Sequence, residues 1–272
     1  MKHLFIYLLI IIFLIVLLKM KIHLYYIHYY FKLNNYNHIN IYKSTNVYEK
    51  IPKILYQTYI DKNKIPEKVF KNLNEYANDY DYRLFDDKDC YYFIKNNFNK
   101  DILDCFINLK GAHKADLVRY CLLYKTGGVY LDIKIILKKK LSNIFKKKYL
   151  YTCESIVKNT IFQGIIASPP NNIIFLELIN FILLNYKQVK NIMNYLLFCY
   201  DFGRKIINYT NSNLLLGLNK NKKYNVDFYI FKEKNIDIKY CNNKLDRYNI
   251  CTGIYDNQEL IFLTRYHDYP WH

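Results

Sequence analysis

The chain has 272 residues, enough to bury a full hydrophobic core, and one folded domain is the simplest expectation. A formal net charge of +17 suggests anionic partners. However, the lysines are scattered or in short runs, and no zinc-finger, ribonucleoprotein or helix-turn-helix pattern is present, so nucleic-acid binding is not expected. The seven cysteines include no Cys-x-x-Cys pair, which argues against zinc and thioredoxin-type chemistry.

The N-terminal segment contains an uninterrupted apolar run, LFIYLLIIIFLIVLL, at residues 4–18. As a helix this run reaches about 22 Å, short of the roughly 30 Å hydrocarbon core, which suits a signal-peptide core or a short signal anchor. Lysines and aromatic residues follow it instead of a small-residue cleavage site. The pattern predicts an uncleaved transmembrane anchor at 1–21, with a removed secretion signal as the alternative. Positive charges flank both sides and leave the orientation open.

Residues 22–50 are polar, rich in asparagine and without a regular period, and we interpret them as a stem before a domain at 51–272. Within that domain we predict strands at residues 51–60 and 80–85 and a helix at residues 64–77. Asp86 and Asp87 precede a further helical segment and are suited to cap it.

The most informative stretch is residues 111–137, GAHKADLVRYCLLYKTGGVYLDIKIIL. Its first part predicts a helix with an apolar core face. Asp116, Arg119 and Tyr120 share another face of that helix, which sets an anion, a cation and a phenol side by side. Taken alone, Asp116 and Arg119 are more typical of a surface ion pair.

After Gly127 and Gly128 the period changes to two, which predicts a strand. Tyr130, Asp132 and Lys134 share one side of it, opposite an apolar side. Packing gives no reason for a carboxylate and an ammonium there, although a solvated edge strand is the structural alternative. Open α/β sheets bind ligands beyond the carboxyl ends of their strands, so we expect Asp132 and Lys134 in a ligand site.

Downstream of this stretch, residues 149–153 and 161–168 predict two more strands. Residues 173–184 predict a buried helix, and 186–208 predict an apolar helical segment.

Taken together, the central residues resemble the sugar-binding region of glycosyltransferases that carry a DXD motif. These include the yeast-type initiating α-1,6-mannosyltransferases and, more distantly, the glucosylating domains of large clostridial toxins. The matching residues are Ala115-Asp116, Arg119-Tyr120, Leu123-Tyr124, Gly127-Gly128, Tyr130 and Asp132. Lys134 stands where the second Asp of the motif is expected. The resemblance covers about residues 51–184 and implies an α/β fold: a GT-A type, Rossmann-like nucleotide-sugar-binding domain with a mostly parallel central sheet.

The resemblance implies a membrane-anchored, retaining transferase that moves a hexose from a UDP- or GDP-linked donor to a glycan or glycoprotein acceptor in the secretory (Golgi or ER) lumen. It places Asp116 and Arg119 on the donor sugar and Tyr130 in the nucleotide pocket. Asp132 is implied to contact the metal or the ribose, and Lys134 to lie against phosphate or Asp132. Asp132 and Lys134 are therefore the candidate catalytic residues.

Weaker matches imply further donor contacts. Gln57 and Thr58 lie on the strand that family members place beneath the base, and Gln163 fills a polar position where the family commonly has an Asn. A C-terminal His and Trp of the family are matched by His267, as a metal ligand, and by Trp271, as a donor contact. Ordinary strand positions and terminal packing are the structural alternatives.

The lysine at position 134 affects whether the site can hold a metal cofactor. Family members hold Mn²⁺ or Mg²⁺ on the DXD carboxylates to stabilise the diphosphate leaving group, and an ammonium cannot ligate a cation. Three outcomes are open: another group, such as Asp268 or His267, completes the metal shell; Lys134 itself pairs with the diphosphate and makes the enzyme metal-independent; or catalysis is lost and the chain is a nucleotide-sugar-binding pseudoenzyme.

Overall fold

The computed structural model describes residues 50–187, 196–224, 226–237 and 252–264. The anchor predicted at 1–21 and all but the last residue of the predicted stem lie outside these ranges. Within them, no helix has both the length and the apolar character needed to span a bilayer.

The first half of the domain alternates strands and helices. Its elements are β1 (Ile54–Thr58), α1 (Glu67–Tyr76), β2 (Asp81–Phe85), α2 (Asp87–Asn97), α3 (Lys100–Asn108), α4 (Ala112–Thr126), β3 (Gly128–Leu131), β4 (Ile136–Leu137) and α5 (Leu141–Ile144). Asp86 begins α2 with a capping box: its side chain accepts from the Asp89 amide, and the Asp89 side chain accepts from the Asp86 amide. The capping role predicted for Asp86 is therefore confirmed.

The second half is richer in strands. Its elements are β5 (Leu150–Glu154), β6 (Ile161–Ser168), α6 (Ile173–Asn185), α7 (Leu197–Thr210), β7 (Gly217–Asn219), β8 (Phe228–Asn235), β9 (Thr252–Asp256) and β10 (Glu259–Leu263). The strands predicted at 149–153 and 161–168 and the buried helix predicted at 173–184 are confirmed. The helical segment predicted at 186–208 is found as α7, which begins at Leu197; residues 188–195 lie outside the described ranges.

The described strands form one sheet in the order β2-β1-β3-β6-β5-β8-β9-β10-β4, and β7 pairs with β8. The pairs β1–β2, β1–β3 and β5–β8 are parallel, and the other pairs are antiparallel. Followed along the sheet, these pairings make β1, β2, β3, β5, β8 and β10 run in one direction, so their carboxyl ends share an edge. The predicted α/β class is confirmed, with a mixed sheet in which one direction predominates.

The sheet curls so that its two ends approach each other. Residues 132–135 join β3 to β4, and β4 pairs with β10 at the opposite end of the strand order. The register places Leu263, the last residue of β10, opposite Ile136. The end of β10 therefore lies beside the 132–135 turn.

The turn between α4 and β3 brings the backbone of β3 close to β1. Gly127 and Gly128 have φ of 63° and 107°, which L side chains rarely adopt. A Cβ on Gly128 would lie 2.7 Å from the Ile54 carbonyl oxygen, and one on Gly127 would lie 2.5 Å from the Pro170 nitrogen. Only glycine allows this approach, and the approach fixes where β3 begins beside β1.

Two local predictions need correction. Helix α4 is buried on nearly all sides, because its polar residues Asp116 and Arg119 face the protein interior along with its apolar ones. The strand predicted to carry Tyr130, Asp132 and Lys134 ends at Leu131. A turn follows, closed by a hydrogen bond from the Ile135 amide to the Asp132 carbonyl at 2.9 Å.

Candidate functional site

A cavity of about 590 Å³ opens at the edge where β1, β2 and β3 end. Thr58 and Phe85, the last residues of β1 and β2, lie in its wall, and Asp132 follows β3 directly. The first turn of α4 contributes Ala112 and Ala115. This is the position at which open α/β sheets bind ligands, and a cavity of this size suits a small molecule.

The cavity wall has an apolar part and a charged part. Side chains from β2, α2, α3 and the residue after α3 contribute to the apolar part; they are Phe85, Cys90, Phe106 and Leu109. The charged lining residues are four cations and two carboxylates, Lys110, Lys114, Arg119, Lys134, Asp87 and Asp132. Such a wall suits a ligand that carries both an apolar group and negative charge.

Arg119 lies at the centre of the charged part and is only 3% exposed. Its Nη2 lies 3.3 Å from Asp116 Oδ1 and 3.4 Å from Asp132 Oδ1. Its Nη1 donates to the Gln163 carbonyl at 2.5 Å. Burial alone lowers the pKa of the guanidinium, but Tyr130 and the two carboxylates outweigh it and raise this pKa. The Arg119 side chain therefore stays cationic, with Asp116 of α4 and Asp132 of the turn after β3 as its carboxylate partners.

The ring of Tyr130 packs against the Arg119 guanidinium. The Arg119 Cζ lies 4.6 Å from the centroid of the Tyr130 ring, within cation–π range. The Tyr130 hydroxyl lies 2.9 Å from Thr58 Oγ1, so the ends of β1 and β3 are joined through side chains. Burial raises the pKa of the Tyr130 phenol, which remains neutral and able to donate at physiological pH.

Asp116 faces Arg119 from within α4 and is 7% exposed. Its second oxygen lies 3.3 Å from His113 Nδ1, one helical turn earlier. Sequence reasoning missed His113, although its i,i+3 spacing from Asp116 is a usable signal. The carboxylate thus connects an imidazole to the guanidinium.

Gln163 is buried behind Arg119 instead of lying in the cavity wall. Hydrogen bonding is best satisfied with its amide nitrogen donating to the Tyr120 hydroxyl at 2.5 Å and to Asp116 Oδ1 at 3.1 Å. Its backbone carbonyl is the acceptor for Arg119. Within the described residues, Gln163 supports the side chains that line the cavity.

Asp132 and Lys134 both line the cavity, although they belong to a turn and not to a strand. The Asp132 amide donates to the Gly164 carbonyl at 2.9 Å. A Cβ added to Gly164 would lie 3.0 Å from Asp132 Oδ2, so this glycine makes room for the carboxylate.

Gln57 is fully buried, and its side chain contacts the site at a backbone atom of Asp132: the Gln57 Nε2 donates to the Asp132 carbonyl at 3.3 Å. Thr58 lies in the cavity wall. His267, Asp268 and Trp271 lie outside the described residues.

The described residues do not by themselves fit a divalent cation. Nowhere in the described ranges do three or more His, Cys, Asp or Glu side chains gather in a cluster that could hold a metal. The carboxylate nearest the expected position, Asp132, has the Arg119 guanidinium at 3.4 Å. Hard cations require several oxygen ligands, and one carboxylate beside a fixed positive charge is a poor donor set.

Comparison with known proteins confirms the resemblance. Residues 66–151 match the family model described as the glycosyltransferase sugar-binding region containing DXD motif. That range contains Asp116, Arg119, Tyr130 and Asp132.

Among curated proteins, the chain is 28% identical over 151 residues to the Uncharacterized glycosyltransferase L373 of Acanthamoeba polyphaga mimivirus, across 53% of this chain and 60% of that protein. It is 36% identical over 88 residues to inositol phosphoceramide mannosyltransferase 3 of Schizosaccharomyces pombe, across 31% of this chain and 24% of that protein. It is 38% identical over 95 residues to the mannosyl phosphorylinositol ceramide synthase SUR1 of Saccharomyces cerevisiae, across 34% of this chain and 24% of that protein. The chain thus spans 60% of the viral relative and about a quarter of each yeast relative.

A solved structure, the PaToxG glycosyltransferase, is similar with a TM-score of 0.46 and 16% sequence identity, across 59% of this chain and 70% of that chain.

Proposed function

We propose that this chain is a glycosyltransferase that binds a nucleotide-sugar in the cavity at the ends of β1, β2 and β3 and transfers its hexose to an acceptor. The observation that carries the proposal is the buried Arg119 held between Asp116 and Asp132 over the ring of Tyr130, at the wall of that cavity. These four residues lie within the range that matches the sugar-binding family model.

The cavity wall supports a division of the donor into two parts. The Phe85 side chain offers an apolar surface to a nucleobase, whereas Lys134 and Arg119 offer positive charge to a diphosphate and its sugar. The first turn of α4 also borders the cavity, and a helix N-terminus favours an anion. Asp116 and Arg119 are proposed to fix the sugar, with Asp116 acting through Arg119.

The chemical step breaks the bond between the sugar's anomeric carbon and the diphosphate oxygen and forms a bond from that carbon to an acceptor hydroxyl oxygen. The hydroxyl loses its proton, and negative charge grows on the departing diphosphate. Groups that are already in place and positively charged stabilise that transition state without reorganising. Lys134 lies in the cavity wall, and Arg119 is kept cationic by its carboxylate neighbours. Asp132, which follows β3, orients the Arg119 guanidinium through their ion pair. We propose retention of the anomeric configuration, as the resemblance implies, and assign no general base.

The cofactor remains part of the proposal. The described donor set favours Lys134 as the charge that pairs with the diphosphate, in place of the Mn²⁺ or Mg²⁺ that a second motif carboxylate would hold. A metal shell completed by His267 or Asp268 is the alternative. This tail follows β10 in the sequence, and the register of β10 with β4 sets the end of β10 beside the 132–135 turn, which supports the alternative. Trp271 is proposed to cover the bound donor.

The wider setting is proposed from the sequence: an anchor at 1–21, a stem at 22–50 and a catalytic domain at 51–272 facing the secretory lumen. The donor is UDP- or GDP-linked. The names of the two yeast relatives make mannose the first sugar to test, and inositol phosphoceramide an acceptor to test beside glycans and glycoproteins.

A donor panel assayed with the full chain in detergent tests the proposal. We expect hydrolysis or transfer of one nucleotide-sugar and a fall of at least about 100-fold for Asp132→Ala, the scale expected when an electrostatic contact in the active site is lost. Lys138→Ala, an exposed lysine outside the cavity wall, is the matched control. Donor binding without turnover would favour the pseudoenzyme, which the lysine at position 134 makes the second candidate. No binding of any donor would refute the proposal.

A further inference from the structure

Tyr82 lies outside the described cavity wall, yet it is joined to the site by two consecutive hydrogen bonds. This partly buried residue of β2 donates from its hydroxyl to Gln57 Oε1 at 3.0 Å. Gln57 then donates from Nε2 to the Asp132 carbonyl at 3.3 Å. The parallel register of β1 and β2 pairs Leu55 with Tyr82, so Tyr82 and Gln57 are diagonal neighbours on one face of the sheet.

Gln57 is 0% exposed, so its amide has no solvent to satisfy it. The Asp132 carbonyl can only accept, which requires the amide nitrogen to face it and turns Oε1 towards Tyr82. The Tyr82 hydroxyl supplies the donor that Oε1 then needs. Removing that hydroxyl leaves a buried acceptor without its hydrogen bond, and the amide loses the contact that fixes its orientation.

The Asp132 backbone is held from three directions. Its carbonyl accepts from Gln57 and also from the Ile135 amide at 2.9 Å, and its amide donates to the Gly164 carbonyl at 2.9 Å. These bonds set where the 132–135 turn points and therefore where the Asp132 and Lys134 side chains enter the cavity.

We propose that Tyr82 and Gln57 are positioning residues that hold the 132–135 turn in its reactive orientation. This inference rests on the proposed transferase function, because it assigns Asp132 and Lys134 a role at the diphosphate. It gives Gln57 a buried structural link to the reacting groups in place of direct donor contact. Lys134 acts most strongly as charge develops on the leaving group, so a displaced turn lowers kcat more than it weakens donor binding.

Two readouts on the full chain test the inference, with Tyr229→Phe as the matched control. Tyr229 also loses one hydroxyl bond, to Asp256 Oδ1 at 2.8 Å, in a part of the sheet away from the cavity wall. The first readout is hydrogen exchange of the segment 129–137, which needs no turnover. Tyr82→Phe is expected to speed exchange there by about fivefold, which corresponds to a loss of roughly 1 kcal/mol. Tyr229→Phe is expected to leave it unchanged, and equal exchange in both variants would overturn the inference.

The second readout is kinetic. Tyr82→Phe is expected to lower kcat by about three- to tenfold with the donor KM within about twofold. Tyr82 and Gln57 act through the same series of hydrogen bonds. The double variant Tyr82→Phe with Gln57→Met should therefore lose no more kcat than Gln57→Met alone. Additive losses, or a kcat equal to that of Tyr229→Phe, would overturn the positioning role. If exchange changes as expected but the wild type turns over no donor, the link between Tyr82 and Asp132 stands and the proposed function fails.

Discussion

Arg119 and Asp132 meet at 3.4 Å across the boundary between a buried helix and the end of a buried strand. Packing alone gives neither side chain a reason to be there, since Arg119 is only 3% exposed and its charge is held away from solvent. Burying this charge requires partners, and Asp116 and Asp132 supply them from two different elements. The contact therefore joins the stability of α4 and β3 to the geometry of the cavity.

Arg119→Met should cost about 3–5 kcal/mol of unfolding free energy, because it leaves two carboxylates near each other without their shared cation. Urea unfolding of the full chain measures this. Arg83→Met is the control: Arg83 pairs with Asp81 at 2.6 Å, but its side chain is 44% exposed, and an exposed pair is worth under about 1 kcal/mol. Equal losses in both variants would mean that the buried ion pairs do not hold the site together.

Gly164→Ala should reduce activity by about tenfold while the protein still folds. Its Cβ would lie 2.6 Å from the Phe162 ring and 3.0 Å from Asp132 Oδ2, so both side chains must shift. Overpacking of this kind costs about 1–3 kcal/mol.

A second substitution separates the two contacts. Phe162→Leu in the Gly164→Ala background removes the ring overlap but not the contact with Asp132. We expect it to recover most of the lost unfolding free energy and little of the lost kcat. Recovery of both would place the effect in the ring packing instead of the carboxylate.

Much of the charged part of the site could be predicted from the sequence, because its residues lie in one stretch with two clear periods. The i,i+3 spacing of Asp116 and Arg119 and the alternation of Tyr130 and Asp132 place these side chains before any contact is known. The turn at 132–135 could not be predicted, because Ile133 and Ile135 are buried in it, as alternate residues of a strand would be.

The apolar wall and the Tyr82 link had no signal in the sequence. Phe85, Cys90 and Phe106 come from three separate elements and look like ordinary core residues in their own segments. Their convergence depends on how β2, α2 and α3 pack at the sheet edge. Tyr82 acts through Gln57, and only the strand register brings the two together.

Gly128→Ala should destabilise the domain by about 3 kcal/mol or more. The residue has φ of 107°, and a Cβ would lie 2.7 Å from the Ile54 carbonyl oxygen, which is backbone and cannot move aside cheaply. Gly217→Ala is the control, because φ is also positive at 81° but nothing lies within 4 Å of the added carbon. That variant should lose only about 1–2 kcal/mol. Thermal or urea unfolding distinguishes strain alone from strain with steric overlap.

Alkaline pH should weaken the fold through buried thiols. Burial raises the pKa of Cys105 from 9.0 to about 12, so the folded state holds a proton that the unfolded chain releases. The stabilisation is full below the unfolded pKa and is lost as pH rises from about 9 to about 12, with a slope of about 1.4 kcal/mol per pH unit. Cys105→Ala should show a shallower decline of unfolding free energy over that window. Parallel curves for the two proteins would contradict the assignment.

If Lys134 pairs with the diphosphate as proposed, Lys134→Asp should make turnover depend on a metal. In the wild type, Asp132 is the only carboxylate that the described 132–135 turn offers to the cavity, and we propose that the lysine supplies the positive charge itself. EDTA is therefore expected to leave wild-type turnover within about twofold. The variant restores the second carboxylate of the DXD pattern, so it should lose at least about tenfold without metal and regain activity with Mn²⁺, which oxygen ligands can then hold. Lys138→Asp introduces the same charge change at an exposed position outside the cavity wall and should not create a response to Mn²⁺. Loss of wild-type activity in EDTA would instead indicate that residues beyond the described ranges complete a metal shell around Asp132.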